Sequence, residues 1–468
     1  MAVSWTSTDR IAPCYSQKPM EGLFVEFVNR TPFSALCFSG LDLEDEKFHV
    51  AVVKVGYRLE PAGKAGHFIA KTLEEAPALC MKDEYYGDAN HSSVREESDL
   101  AHYKPRCDVI FRGSAYAPQG KPAAGWDVRV RISAPASSFD VVTSHRNVTS
   151  MLHLNPELDA RYEERWPVPA AQSVEPERTA SQTVLLEKSL RISGQREFQR
   201  HGDGWRLSNP QAATHVPMRW EHAFGGSSVV RNPAHAHDPK QPEFLLNEVC
   251  YSNPLGCGWI EQRHFDALRD AQQEPLVRLP APQIEAPQQG VQQPVQTRHP
   301  DRFDAANPDE FIRIVQGYGH HPAGLGIVGR CWVPRLQLAG TFNEKWKSVR
   351  WPYLPHDYDF GYWNCAPRDQ QIEALPPDAR IELWNLADPA HTSDGYLRVD
   401  LPEDWPFVHI YLHDGLGLPV PMMTDTLVID TDAMSLTLTH RVQFAEKPDI
   451  ERVEAWVHRQ PEPFRKPV

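Results

Sequence analysis

The stretch SLTLTHRVQF, Ser435–Phe444, decides the fold class. Leu436, Leu438, His440, Val442 and Phe444 alternate with Ser435, Thr437, Thr439, Arg441 and Gln443. A period of two sends one set of side chains to a core and the other set away from it. The same alternation recurs outward along the chain, at Val408, Ile410 and Leu412, at Leu397, Val399 and Leu401, and at Val53, Val55, Tyr57 and Leu59. Val128, Val130 and Ile132 repeat it against Arg129, Arg131 and Ser133. Antiparallel sheets with one solvated face give this pattern, whereas buried parallel strands give continuous apolar runs. The expectation is a mainly β chain of antiparallel sheets, arranged as two packed β-sandwich-like units with long proline-rich loops and few helices.

Composition agrees. The 42 prolines are about 9% of the chain against an average of about 5%, and proline interrupts both helix interiors and central strands. With 468 residues the chain is long enough for two domains. The reading divides it into a tail over 1–20, an N-terminal β unit over 21–270, a Pro/Gln-rich connection over 271–305, a C-terminal β unit over 306–450 and a tail over 451–468. An inserted segment of mixed charge, proline and serine is expected at about 140–185. Helix is expected at 261–273, with Phe265 and Leu268 on one face.

Lys+Arg 48 against Asp+Glu 62 leaves a net charge of -14, which repels phosphate backbones and argues against nucleic acid as a partner. None of the eight cysteines forms a CxxC pair, so they read as reduced and mostly buried, as in a cytoplasmic protein. Met1–Met20 carries Asp9, Arg10 and Lys18 and lacks a signal-peptide core, and no run approaches a membrane span.

The densest histidine region holds His215, His222, His235 and His237. The pair at i and i+2 could share a strand face as metal ligands do, but NPAHAHDP reads more simply as a solvent-facing loop, and no strict ligand spacing is met. No metal or cofactor is expected. Asp357 and Asp359 in LPHDYDF, or Asp404 beside Trp405, could serve as paired carboxylates, with Trp351, Tyr353, Tyr358, Tyr362 and Trp363 as a sugar-binding surface. Carboxylates are equally common in turns and aromatics in β cores. No GxGxxG, phosphate-binding or GxSxG pattern occurs, so the expectation is a non-enzymatic protein. A carbohydrate-active or carbohydrate-binding protein is the alternative reading.

Turn-and-aromatic clusters stand out instead. They are FVNRTPF (Phe27–Phe33), VAVVKVGYRL (Val50–Leu59), DVIFRGSAYAP (Asp108–Pro118), KSLRISGQREF (Lys188–Phe198), MRWEHAFGG (Met218–Gly226) and NPLGCGW (Asn253–Trp259). LPAPQIEAP (Leu279–Pro287), GLGIVGRCWVPRLQLAGTFNEKW (Gly324–Trp346), LPHDYDFGYWNCAPRDQQ (Leu354–Gln371) and DTLVID (Asp425–Asp430) complete the series. In this order, from about 23 to 445, they resemble the domain-of-unknown-function family 2169, whose members occur beside type VI secretion spike and effector genes. About fifty residues intervene between the strand at Asp127–Ile132 and KSLRISG where the family passes quickly. His440 stands where an aromatic is more usual. The resemblance makes LPAPQIEAP part of the domain.

The resemblance implies an adaptor or chaperone that binds a type VI secretion effector in the cytoplasm and helps to load it onto the spike. A structural component of the secretion apparatus is a further alternative. The implied partners are the effector and spike proteins, with no nucleic acid, membrane or small-molecule substrate. Glu221, Phe224, Gly225, Gly226, Asn253, Gly256, Gly258, Trp259, Trp332, Arg335, Trp346, Asp357, Trp363 and Asn364 are the motif residues expected to organise the fold or its binding face.

Overall fold

A computed structural model describes residues 25–149, 182–231, 245–261, 263–264, 267–268, 276–297, 321–447 and 450–458. Among the described residues strands dominate, and apart from Ala136–Thr149 the helices are short. The largest sheet has twelve strands, here β1 (Ser34–Leu41), β2 (Lys47–Pro61), β3 (His67–Thr72), β4 (Cys107–Arg112), β5 (Gly125–Pro135), β6 (Gln182–Ser193), β7 (Ile284–Glu285), β8 (Gln371–Ile372), β9 (Arg380–Trp384), β10 (Tyr396–Asp400), β11 (Met423–Asp430) and β12 (Ser435–Ala445). They lie in the order β7-β6-β5-β9-β10-β3-β2-β12-β11-β4-β8. The long β2 serves β1 along its first half and β3 along its second. Strands from both sides of the 271–305 connection lie in this one sheet. Most ladders are antiparallel, but β11 pairs β4, and β10 pairs β3, in parallel.

The sheet curls until its ends approach each other. Lys188 of β6 reaches Asp369 at 2.8 Å and the Gln370 side-chain oxygen at 3.0 Å, just before β8. The Gln370 amide in turn donates to the Val109 carbonyl of β4. Burial lowers the Lys188 pKa against the opposing pull of Asp369. Inside the curl, Val53, Val55, Tyr57, Val128, Val130, Ile132, Leu397, Val399, Leu436 and Leu438 form one core. A second sheet of Glu26–Asn29, Ile450–His458, Trp405–Leu412 and Gly417–Pro421 closes over it, contributing Val408, Ile410, Val453 and Ala455.

The expected solvated face holds at β5, where Arg129 and Arg131 remain partly exposed. It fails at the sheet centre. On β2, Lys54 is buried as well as Val53 and Val55, and on β12, Thr439 and Arg441 are buried as well as Leu438 and Val442. The covering layer is built by the segments 80–106 and 327–366. Phe48 and Val50 of β2 pack against Tyr103, Tyr358 and Phe360, and Ile110 of β4 packs against Val94, Ile327 and Cys365.

Within the connection, Ala281, Ile284, Ala286 and Val291 are buried, and β7 pairs with β6. The expected helix begins late, because Glu261 ends a strand (Cys257–Glu261). His264, Ala267 and Leu268 are helical, with Ala267 donating to the Arg263 carbonyl, and the rest of that stretch lies outside the described residues. The insertion opens in the helix Ala136–Thr149 and ends in β6; 150–181 lie outside the described residues.

Three histidines around the central strands are held neutral. Burial pushes His440 of β12 down to about 4 against the pull of Asp425. Burial and the Arg441 charge push His102 down to about 4, and burial also lowers His49 of β2. Because the folded values lie below the unfolded value of about 6.5, their contribution is present above that pH and is lost as pH falls towards the folded values. The melting temperature should therefore fall on acidification from pH 7 to 5. His440→Phe should remove roughly 1–2 kcal/mol of that loss, read by thermal denaturation at the two pH values; an unchanged pH dependence would contradict it.

Candidate functional site

The motif residues fall into three groups, and two of them are internal. In the first, the turn 220–226 crosses the loop 253–259 with the two backbones in contact. The Asn253 amide donates to the Trp220 and Phe224 carbonyls, both at 2.9 Å, while its side-chain oxygen accepts from Leu255 N–H. Gly226 N–H donates to the Asn253 carbonyl. A Cβ on Gly225 would stand 2.1 Å from the Asn253 carbonyl oxygen, and one on Gly256 would stand 2.4 Å from that of Ala223. Only glycine permits so close a crossing. Gly258 turns with positive φ against Pro282. Phe224 and Trp259 fill the small core beneath, with Phe198, Cys250, Ala281 and Val291.

The second group ties the covering segments to one another and to the sheet. Glu221 accepts from the Ser93 backbone N–H at 2.8 Å and from its hydroxyl. Trp220 donates its indole N–H to the Ile327 carbonyl and meets Trp332 edge to face at 5.2 Å. Arg335 forms a two-pronged ion pair with Glu97 and donates to the carbonyls of Val328 and Tyr362 at 2.8 Å. Burial opposes the charge of Glu97, but Arg335 and Arg330 outweigh it and hold the carboxyl below its ordinary value. The Trp363 ring faces His102 and lies under the Arg330 guanidinium. The Asn364 amide donates to Asp108 of β4 at 3.0 Å, and Cys365 N–H and Ala366 N–H donate to the same carboxylate. Lys104 completes this knot, bonding Asp108 at 2.9 Å and Thr426 at 2.8 Å.

Further pairs that the sequence reading did not single out belong to the same layer. Lys54 of β2 binds Asp99 at 2.8 Å and also Glu96, while Arg441 of β12 binds Asp425 at 2.5 Å and the carbonyls of Asp99 and Ala101. Burial works against the Lys54 charge, yet Asp99 and Glu96 raise its pKa. A signal existed in the sequence: a lysine inside VAVVKV has no apolar reason to be there.

The third group is superficial. Asn343 caps the short helix Glu344–Val349 by accepting from Trp346 N–H. The Trp346 indole donates to the Tyr353 carbonyl, and its ring meets Phe342 at 4.8 Å and Trp351 at 5.4 Å. Asp357 accepts from both the N–H and the hydroxyl of Thr341. Its neighbour Asp359 accepts from Gly361 N–H, and Asp404 accepts from the Tyr57 hydroxyl. These carboxylates are thus engaged in turns and, for Asp404, in a buried contact. Around Trp346, Leu336, Phe342, Val349, Trp351 and Tyr353 are exposed, Val349 by 76% and Phe342 by 57%.

His215 and His222 bond to Thr214 and Gln283 respectively; His235 and His237 lie outside the described residues. Among the described residues no helix is long and apolar enough to cross a membrane.

Removing one half of the Arg335–Glu97 pair leaves a buried charge unmatched. Arg335→Met should cost about 3–5 kcal/mol in chemical denaturation, and Arg335→Lys should restore only part because an ammonium cannot reproduce the fork. A loss below about 1 kcal/mol would contradict the buried pair. Trp332→Ala should cost about 3–5 kcal/mol as well, and an unchanged melting temperature would show that the ring is not part of the core.

Residues 44–157 and 168–441 match the family described as an uncharacterized protein conserved in bacteria, DUF2169. The break at 158–167 falls within the expected insertion. No curated protein and no solved structure matches the chain. With most of its length matched, including the motif residues from Glu221 to Asn364 though not the FVNRTPF stretch (Phe27–Phe33), the chain belongs to the DUF2169 family.

Proposed function

We propose that this chain is a binding protein, an adaptor or chaperone that holds a type VI secretion effector in the cytoplasm and helps to load it onto the secretion spike. The observation that carries this reading is the concentration of exposed large apolar side chains in 336–353. Water-exposed apolar groups that lie together on a folded protein are where partners bind. The segment is anchored on both sides, by Arg335 to Glu97 and by Asn364 to Asp108, so the surface is presented by a fixed frame. Preorganisation of this kind lowers the ordering cost of binding. The order of the sequence motifs supplies the secretion context.

Co-expression with the adjacent effector and spike genes, followed by affinity capture of this chain, tests the proposal. The expected result is a stoichiometric complex with the effector, and an effector that is soluble only when this chain is present. An effector equally soluble and equally delivered without it would overturn the reading.

A further inference from the structure

We propose, resting on the binding-protein reading above, that the ledge formed by Phe342, Trp346, Val349 and Trp351 is the docking site for an amphipathic helix of a partner chain, one whose apolar stripe is flanked by lysine or arginine. Three observations select this occupant. The rings of Phe342, Trp346 and Trp351 follow one another at centroid separations of 4.8 and 5.4 Å. Such a ladder offers contacts along at most about two helical turns, the i to i+7 span of an apolar stripe. Val349 stands three residues beyond Trp346 on the same short helix and so shares its face.

Charge selects the flank. Arg350 fixes the turn 42–46 beside the ledge, pairing with Asp45 at 2.5 and 2.7 Å and donating to the carbonyls of Leu43 and Leu354. Its own charge is thereby matched. On the ledge's helix Lys347 lies 3.9 Å from Glu344, and Lys345 has no ion pair among the described residues. The turn brings two exposed carboxylates, Glu44 and Glu46, that also have none among the described residues and so leave the surroundings acidic. The whole chain adds a net charge of -14, which steers a basic partner towards it and an acidic one away.

The contact arrangement also says how the ledge holds its shape without a partner. The Trp346 indole is tied to the Tyr353 carbonyl at 3.0 Å, and Asn343 caps the helix below it. The apolar surface is therefore displayed by internal hydrogen bonds and does not depend on the bound helix for its form.

The test uses the full chain and a fluorescent synthetic helix about four turns long, with leucines on one face and lysines on the other. A scrambled peptide of the same composition and a leucine/glutamate counterpart serve as controls. The leucine/lysine helix should bind about tenfold or more tightly than either control. Val349→Asp should abolish that preference, and its high exposure leaves the fold intact. Glu44→Gln with Glu46→Gln should weaken binding and flatten its salt dependence. Leu418→Asp, at an exposed apolar position on another strand, should change nothing.

Equal binding of the glutamate peptide, or an unaffected Val349→Asp, would overturn the proposal. So would a self-associating chain that Val349→Asp converts to monomers, since the ledge would then be an interface between copies. A helix that docks here while the effector neither binds nor needs the chain would sink the secretion reading and leave the docking site standing. An effector that binds equally well to Val349→Asp would do the reverse.

Discussion

Arg335 grips Glu97 with both prongs of its guanidinium, in a layer where both side chains are nearly excluded from water. Beside it, Lys54 binds Asp99, Arg441 binds Asp425, and Lys104 binds Asp108. Arg335–Glu97 joins the two covering segments to each other, while Lys54–Asp99 and Lys104–Asp108 join β2 and β4 to the segment 80–106. Arg441, paired to Asp425 of the adjacent β11, also donates to the Asp99 and Ala101 carbonyls of the cover. A sheet centre that is buried on both sides needs a second set of contacts, and here those contacts are ionic as well as apolar. Buried pairs add little net stability because desolvation offsets most of the attraction, but a wrong docking leaves a charge unmatched. The layer therefore selects one seating of the covering segments and rejects others.

That constraint explains why so many of the motif residues are internal. Asn253, Gly225 and Gly256 allow two segments to cross; Glu221 and Arg335 fasten loops to one another, and Asn364 fastens the cover to β4. Each has a contact that a substitution would break, and each contact joins parts of the chain far apart in sequence. What they support is a segment whose ends are fixed and whose middle, from Leu336 to Tyr353, faces solvent with apolar side chains. A rigid frame that displays such a surface is suited to holding another protein.

The β character was legible because alternation is a local property: Val128, Val130 and Ile132 are buried while Arg129 and Arg131 reach water. The covering layer was not, because the alternation in Ser435–Phe444 says only that polar groups face away from the first core. Whether Arg441 then meets water or is sealed in, with Asp425 of the adjacent β11 and the carbonyls of Asp99 and Ala101, is decided by the distant segment that arrives on that face. Burial on both sides of β2 could have been suspected from the near-continuous run around Lys54. The motif reading found Trp332, Arg335 and Asn364, yet sequence could not separate internal anchors from surface ones. Trp259 and Trp346 look alike in a string of letters, and only packing puts one in a core and the other in an exposed ledge. Phe342 and Val349 escaped notice because nothing local marks an apolar residue as unburied.

Hydrogen exchange followed by mass spectrometry tests the central claim, that the segments 80–106 and 327–366 are part of the sheet's cooperative structure and not loops laid over it. Their hydrogen-bonded amides, such as Val328, Cys365 and Ala366, should open only with the global unfolding that also exposes β2 and β12. Rapid exchange of those amides while β2 and β12 stay protected would contradict it, and would show that the charged layer does not hold the cover in place.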